Sequence, residues 1–236
     1  MRWLEAELPD ARAVFSTRIG GLSEAPYDAM NVGILTGDDP ERVVENRRRL
    51  ARSIERDAQG VVMAHQVHGA ELRRHAAPQE PRVFADAVKS PDRADGEVTS
   101  NPDLTPLVLV ADCLPVAMVG VGGVAMAHCG WRGLAGGIIA GAAEAVEAEA
   151  AAVGPGIGPC CYEVGEEVLT AFADLDGVAR GRMLDLTAVA TALLERAGVG
   201  TIESSGLCTS CNPELFYSHR RDGERTGRQA GLVWMA

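Results

Sequence analysis

Residues 106–129, PLVLVADCLPVAMVGVGGVAMAHC, run for two dozen positions with a single charge, Asp112. A stretch this apolar has to be buried, and the breaks inside it divide it into strand-length pieces. It reads as a strand, a break at Pro115, a second strand, a turn at Gly122–Gly123 and a third strand, which makes a buried hairpin. The most apolar runs here and beyond it, 107–111, 116–128 and 133–143, all fall short of the roughly 18 residues a membrane span needs.

The rest of the chain must cover that hairpin. AVFSTRIGG predicts a strand over Ala13 to Arg18, ended by Gly20 and Gly21. GDDPERVVENRRRLARSIERDA predicts a helix, with Asp38 or Asp39 as its cap and Pro40 in its first turn. Val43, Val44, Leu50 and Ile54 form its apolar face. GVVMAHQVHGAEL predicts two strand pieces around Gly69, and the polar residues 87–105 a long surface loop. Gly133 to Val153 predicts one alanine-rich helix with Glu144, Glu147 and Glu149 toward solvent. GEEVLTAFADL and DLTAVATALLERAG predict two further helices, Gly198 closing the second, and TIESSG and AGLVWM predict late strands. Strands and helices alternate without a regular βαβ beat, so the expected class is α+β in a single domain, residues 1–236.

The formal charge is −11 and no basic tract occurs, so no nucleic-acid partner is expected. MRWLEAELPDAR has no apolar signal-peptide core, and with no span the expectation is a cytoplasmic protein away from membranes. In a reducing compartment the six cysteines are thiols, ligands or nucleophiles.

Three residues stand at strand ends before a Gly or Pro break: His68 in HQVHG, Cys113 in ADCLP and His128 in AHCGW. Each one alone reads as readily as packing. Together, two imidazoles and a thiolate suit Zn²⁺ with a fourth position open, the arrangement of catalytic zinc. They also suit copper in a trigonal site with a distant methionine, for which Met118 and Met126 are available, although both read as ordinary core residues. CTSC (208–211) has half the spacing of a zinc knuckle but lacks a second CxxC, and reads as a turn with buried thiols. GPGIGPCCYEVG is a rigid loop, either a tight turn or a set of N–H donors for an anion at a helix start. Arg47, beside Asn46, is the first choice for a bidentate phosphate clamp; Arg18, Arg132, Arg220 and Arg228 are further arginines of interest.

TRIGGLS (17–23), GDDPERVVENRRRLA (37–51), HQVHG (65–69), LVLVADCLPV (107–116), HCGWRGLAGGI (128–138), GIGPCCYEVGEEV (156–168), CTSC (208–211) and YSHRRDGERTGRQAGLVW (217–234) follow one another in order. As an ordered set covering nearly the whole chain, they resemble the laccase-domain family, whose members have been called polyphenol oxidase or multicopper oxidase, purine nucleoside phosphorylase and peptidoglycan editing factor. The resemblance implies two packed mixed β-sheets with helices outside, in α/β/β/α layers, similar to the deamidating-toxin-like cysteine hydrolases. In those, a Cys and a His at the places of Cys113 and His128 act as nucleophile and base. It implies zinc on His68, Cys113 and His128, the same three acting in catalysis. It also implies phosphorolysis of adenosine, inosine, guanosine and methylthioadenosine, with hydrolytic deamination of adenosine. On this reading Arg47, Asn46, Cys161 and Tyr162 bind substrate or phosphate, and the protein works as a monomer on small molecules. The alternatives are a Cys113/His128 amidohydrolase acting on a muramyl amino-acid amide, and a copper-dependent polyphenol oxidase. Cys129 departs from the family pattern, which has Ala after the second ligand histidine.

Overall fold

In a computed structural model describing residues 3–236, the chain forms thirteen strands and six helices. The first half holds Trp3–Leu8 (β1), Ala11–Ser16 (β2), Pro40–Ser53 (α1), Val61–Val62 (β3), Leu72–His75 (β4), Gly96–Thr99 (β5) and Thr105–Val110 (β6). Then come Leu114–Gly120 (β7), Gly123–Cys129 (β8), Trp131–Ala135 (α2), Ile138–Val146 (α3), Ala148–Val153 (β9) and Glu166–Ala171 (α4). The last part holds Ala179–Arg180 (β10), Met183–Leu184 (β11), Leu186–Arg196 (α5), Thr201–Ser204 (β12), His219–Asp222 (α6) and Gln229–Met235 (β13).

Two mixed sheets carry the fold. One has the order β1-β2-β13-β6-β3, the other β12-β9-β7-β8-β5-β4, and β10 and β11 form a small separate ribbon. Strand alternation explains why both faces of each sheet are apolar. Ala13, Phe15, Val108, Val110 and Val233 of the first sheet meet Ala117, Val119, Val124 and Met126 of the second in a shared inner core. On the outer face of the first sheet, Leu50, Ala51 and Ile54 from α1 and the residue after it cover Val14, Leu107 and Leu232. On the outer face of the second, Leu134, Ile138, Ile139, Val189 and Leu194 from α2, α3 and α5 cover Val116, Met118, Ala125 and Ala127. The result is an α+β domain with helices on both outer faces. No helix among the described residues is long and apolar enough to cross a membrane.

The α1 expectation holds at its start: Asp39 is the cap, its side chain accepting from Glu41 N, and Pro40 opens the helix. The helix ends at Ser53, and its buried face is Val43, Asn46, Arg47, Leu50 and Ala51, with Val44 half-buried and Ile54 beyond the helix. Several other expectations change. The apolar tract breaks at 111–113, not at Pro115, which sits inside β7 opposite His128. Asp112 makes that break, with φ at 99°. As a result β6 belongs to one sheet and the β7–β8 hairpin to the other. The expected loop at 87–105 contains β5, fully buried between β8 and β4. Its polar residues are paired inside: Glu97 Oε2 meets His75 Nε2 at 2.6 Å and Oε1 accepts from Ala64 N at 2.7 Å. The expected helix over 133–153 ends at Val146, where Glu147 turns left-handed (φ 50°), and Ala148–Val153 is a strand. Alanine favours helix, but Ala150, Ala151, Ala152 and Val153 are buried in extended form between β7 and β12, and tertiary burial overrides the weak local preference.

Candidate metal centre

His128 is the penultimate residue of β8, and Cys113 immediately precedes β7, so the hairpin register sets them side by side. His68 arrives from the loop between β3 and β4. One ligand atom from each of the three lies within 4.8 Å of the others, and the two imidazoles meet edge to face with centroids 4.9 Å apart.

Asp95, fully buried one residue before β5, organises this corner. Its Oδ1 accepts from His128 Nδ1 at 2.8 Å and from His68 N at 2.9 Å. Its Oδ2 accepts from Gly69 N at 2.7 Å and Val67 N at 3.0 Å. One carboxylate thereby orients one imidazole and folds the loop that delivers the other. His68 itself is left-handed (φ 60°), a conformation uncommon for a non-glycine residue that the Asp95 bonds hold in place. Asp112 is held in the same way: Oδ1 accepts from Thr209 Oγ1 at 2.6 Å, and Oδ2 from Arg220 N at 2.7 Å. Gly130 completes the corner, since a Cβ there would stand 3.0 Å from Cys113 Sγ and 3.4 Å from His68 Cδ2.

Burial pushes the Cys113 thiol up, but the facing His128 and His68 outweigh it and bring it down to about 6. Burial likewise disfavours the His128 cation, yet Cys113 and Asp95 outweigh it and raise His128 to about 9. Without a metal, the corner is therefore a thiolate–imidazolium pair at neutral pH. With His128 Nδ1 on Asp95, Nε2 is the nitrogen left to ligate, the carboxylate–histidine pattern found behind metal ligands. Two imidazoles and a thiolate converging from one side fit zinc with an open position.

That open side faces a cavity of about 490 Å³, within the size range of small-molecule sites. His68, Cys113 and His128 border it together with Asp112, Tyr162, Trp131 and His65. Arg47, Arg132, Arg220 and Arg228 also border it, as do apolar Leu35, Met63 and Val88.

Arg47 is 1% exposed. Its Nε donates to Val32 O at 2.8 Å and its Nη1 to Val83 O at 2.9 Å and Phe84 O at 3.2 Å, while Nη2 is buried without a partner. Burial lowers its pKa to about 10, which leaves it charged at neutral pH. Asn46 lies elsewhere: it is fully buried and joins Leu22 N, Ser23 Oγ, Ala29 O and Asn31 O, away from the cavity lining. Tyr162 does line the cavity, its hydroxyl pushed up to about 12 by burial and by Cys113. Cys161 does not, because its Sγ turns to Cys211 Sγ at 3.4 Å. Most N–H groups of the 156–162 loop are used within the fold, which leaves no cradle of donors for an anion: Ile157 on Asp112 O, Gly158 on Cys208 Sγ, and Cys161 and Tyr162 on Gly158 O. Met118 and Met126 are fully buried in the cores and absent from the lining, so neither is an axial copper ligand. Cys129 faces the outer core with Leu114 and Leu134, and burial pushes its thiol far up. Asp95 could have been noticed only as a carboxylate in ADG ahead of a strand; its partners lie some thirty residues away on either side.

A sequence profile described as multi-copper polyphenol oxidoreductase laccase matches residues 12–236. The chain is 36% identical to purine nucleoside phosphorylase PA4543 of Pseudomonas aeruginosa, over 99% of this chain and 98% of that one. It is 37% identical to purine nucleoside phosphorylase YfiH of Escherichia coli, over 94% and 93%. The crystal structure of YlmD from Geobacillus stearothermophilus superposes with a TM-score of 0.87 at 33% identity, covering 99% of this chain and 96% of that one. With its matching fold, full-length coverage and profile match, the chain belongs to the multi-copper polyphenol oxidoreductase laccase family, among whose members are proteins named purine nucleoside phosphorylases.

Proposed function

We propose that this protein is a zinc-dependent purine nucleoside phosphorylase that splits adenosine, inosine, guanosine and methylthioadenosine with phosphate, and that it also deaminates adenosine. The observation carrying the proposal is the placement of the His68–Cys113–His128 corner at a nucleoside-sized cavity that Arg47, whose buried Nη2 has no partner, also borders. The relatives named purine nucleoside phosphorylase match over 98% and 93% of their length, which supports the phosphorolysis.

His68, Cys113 and His128 would hold the zinc, which would supply Lewis acidity to the bound substrate. Arg47 Nη2 binds a phosphate oxygen, its guanidinium anchored by three carbonyl bonds, so little ordering is needed on binding. Arg228, whose Nη1 is held by Thr226 O and Gly227 O, carries a second positive charge to the same cavity. Leu35, Met63 and Val88 take the apolar faces of the purine. In phosphorolysis a phosphate oxygen bonds to C1′ while the bond from C1′ to the purine nitrogen breaks, and its electron pair leaves with the purine. Tyr162, protonated at neutral pH, donates a hydrogen bond to the ring as it takes up that charge. Deamination needs water at C6 and a proton for the departing ammonia. Asp112, the carboxylate that borders the cavity, carries that proton.

The test is product analysis of adenosine incubated with and without phosphate. Adenine with ribose-1-phosphate is expected when phosphate is present, and inosine without it. Full phosphorolysis after the metal is stripped would sink the reading.

One observation favours a second reading. Cys113 and His128, with Asp95 behind, also form a thiolate, base and orienting carboxylate, the arrangement of a Cys/His amidohydrolase. Amide hydrolysis by metal-free protein, lost on alkylation of Cys113, would select it.

A further inference from the structure

Four of the six cysteines meet at a place the nucleoside site does not use. Cys160 and Cys161 come from the loop before α4, and Cys208 and Cys211 from the CTSC turn about fifty residues later. Their four Sγ atoms all lie within 4.8 Å of one another. Cys211 Sγ is 3.4 Å from both Cys160 Sγ and Cys161 Sγ. These distances are too long for disulfide bonds, and all six cysteines are free. They are close to the edge of about 3.8 Å that a tetrahedron of sulfurs has around zinc at a Zn–S distance of about 2.3 Å. Burial does not account for the gathering, since Cys160 and Cys211 are exposed.

The surroundings are built to hold the sulfurs together. Gly156 bridges to Cys208 as a short parallel ladder, with Thr209 N on Gly156 O at 2.9 Å. Gly158 N donates to Cys208 Sγ at 3.2 Å, and a Cβ on Gly158 would sit 3.1 Å from Cys208 Cβ. Arg221 Nη1 donates to the carbonyls of Thr209 and Ser210 and so braces the turn that carries Cys208 and Cys211. The partner that CTSC lacks in sequence is thus the adjacent pair in PCC, supplied by the fold.

We propose that Cys160, Cys161, Cys208 and Cys211 form a second, closed metal site that takes Zn²⁺ as a tetrathiolate. Binding replaces four S–H bonds by four Zn–S bonds and releases four protons to solvent, without change of oxidation state. The site is structural, having no open position for substrate. It staples two loops that serve the cavity: Tyr162, next to Cys161, lines it, and Thr209, next to Cys208, holds Asp112 beside Cys113.

The test counts zinc by native mass spectrometry on the full chain, purified with reductant and equilibrated with zinc. Two ions per chain are expected in the natural protein. Cys160→Ser/Cys211→Ser should keep one, Cys113→Ala should keep the other, and the triple variant none. Should the double variant not fold, maleimide labelling of the natural protein decides: Cys160 and Cys211 stay protected until a chelator is added. One ion in the natural protein with these thiols labelling at free-thiol rates, or a two-dalton loss showing a disulfide, overturns the proposal. A full count that Cys113→Ala leaves unchanged sinks the zinc reading of the nucleoside site instead.

Discussion

Asp95 and His68 are joined through the main chain: Asp95 Oδ1 accepts His68 N at 2.9 Å while the same oxygen takes His128 Nδ1 at 2.8 Å. One oxygen thus fixes a ligand by its ring and another by its backbone, which is why a loop histidine and a strand histidine converge.

Asp95→Asn should therefore weaken zinc binding about 10–100-fold, since the amide keeps one accepting oxygen, its NH2 cannot accept from the loop N–H groups, and no charge remains behind His128. Competition with a chelator of known affinity measures it. An unchanged affinity would mean that His128 is oriented by packing alone.

In metal-free protein, alkylation of Cys113 by iodoacetamide should follow a titration near 6, where the imidazoles place the thiol. The reactive thiolate is present above that pH and is lost as pH falls through it. His128→Asn should move the midpoint up toward the ordinary thiol value of about 8.5. Rates across pH, read by mass spectrometry, check both statements.

Gly130→Ala should weaken metal binding without unfolding the protein. The backbone at Gly130 is extended (φ −80°, ψ 165°), so alanine is not strained there. Its Cβ would meet Cys113 Sγ at 3.0 Å and push the sulfur off the ligand position. A zinc affinity reduced about tenfold or more, with far-ultraviolet circular dichroism unchanged, is the expected pair of results.

Arg47→Ala should lower stability by about 3 kcal/mol, because three buried carbonyl bonds lose a charged donor. For a chain of this size that is a fall of about 6–12 °C in melting temperature. Arg228→Met is the cleaner probe of phosphate binding: it should raise the KM for phosphate about tenfold and change deamination much less. Equal losses in both reactions would remove Arg228 from that role.

Much of the frame could be read from local signals. The α1 cap at Asp39, the apolar hairpin and the turn at Gly198 all follow from residues close together in the chain. His68, Cys113 and His128 were visible as candidate ligands ahead of breaks in strand pattern. The register that makes them neighbours was not. Nor was β5, because the pairing of Glu97 with His75 that permits a charged strand inside the sheet spans twenty-two positions. Cys161 was misplaced for a similar reason. Its adjacency to a possible anion loop was evident, but its sulfur partner Cys211 lies fifty residues away.

The sequence by itself determined which side chains were available and where the chain must bend, since capping, turn formation and apolar periodicity act over a few residues. Only the tertiary structure decided which thiols and imidazoles meet. Asp95 was drawn behind His128 and the PCC pair onto CTSC by the packing of two sheets around one core, a contact between distant segments that no local pattern encodes.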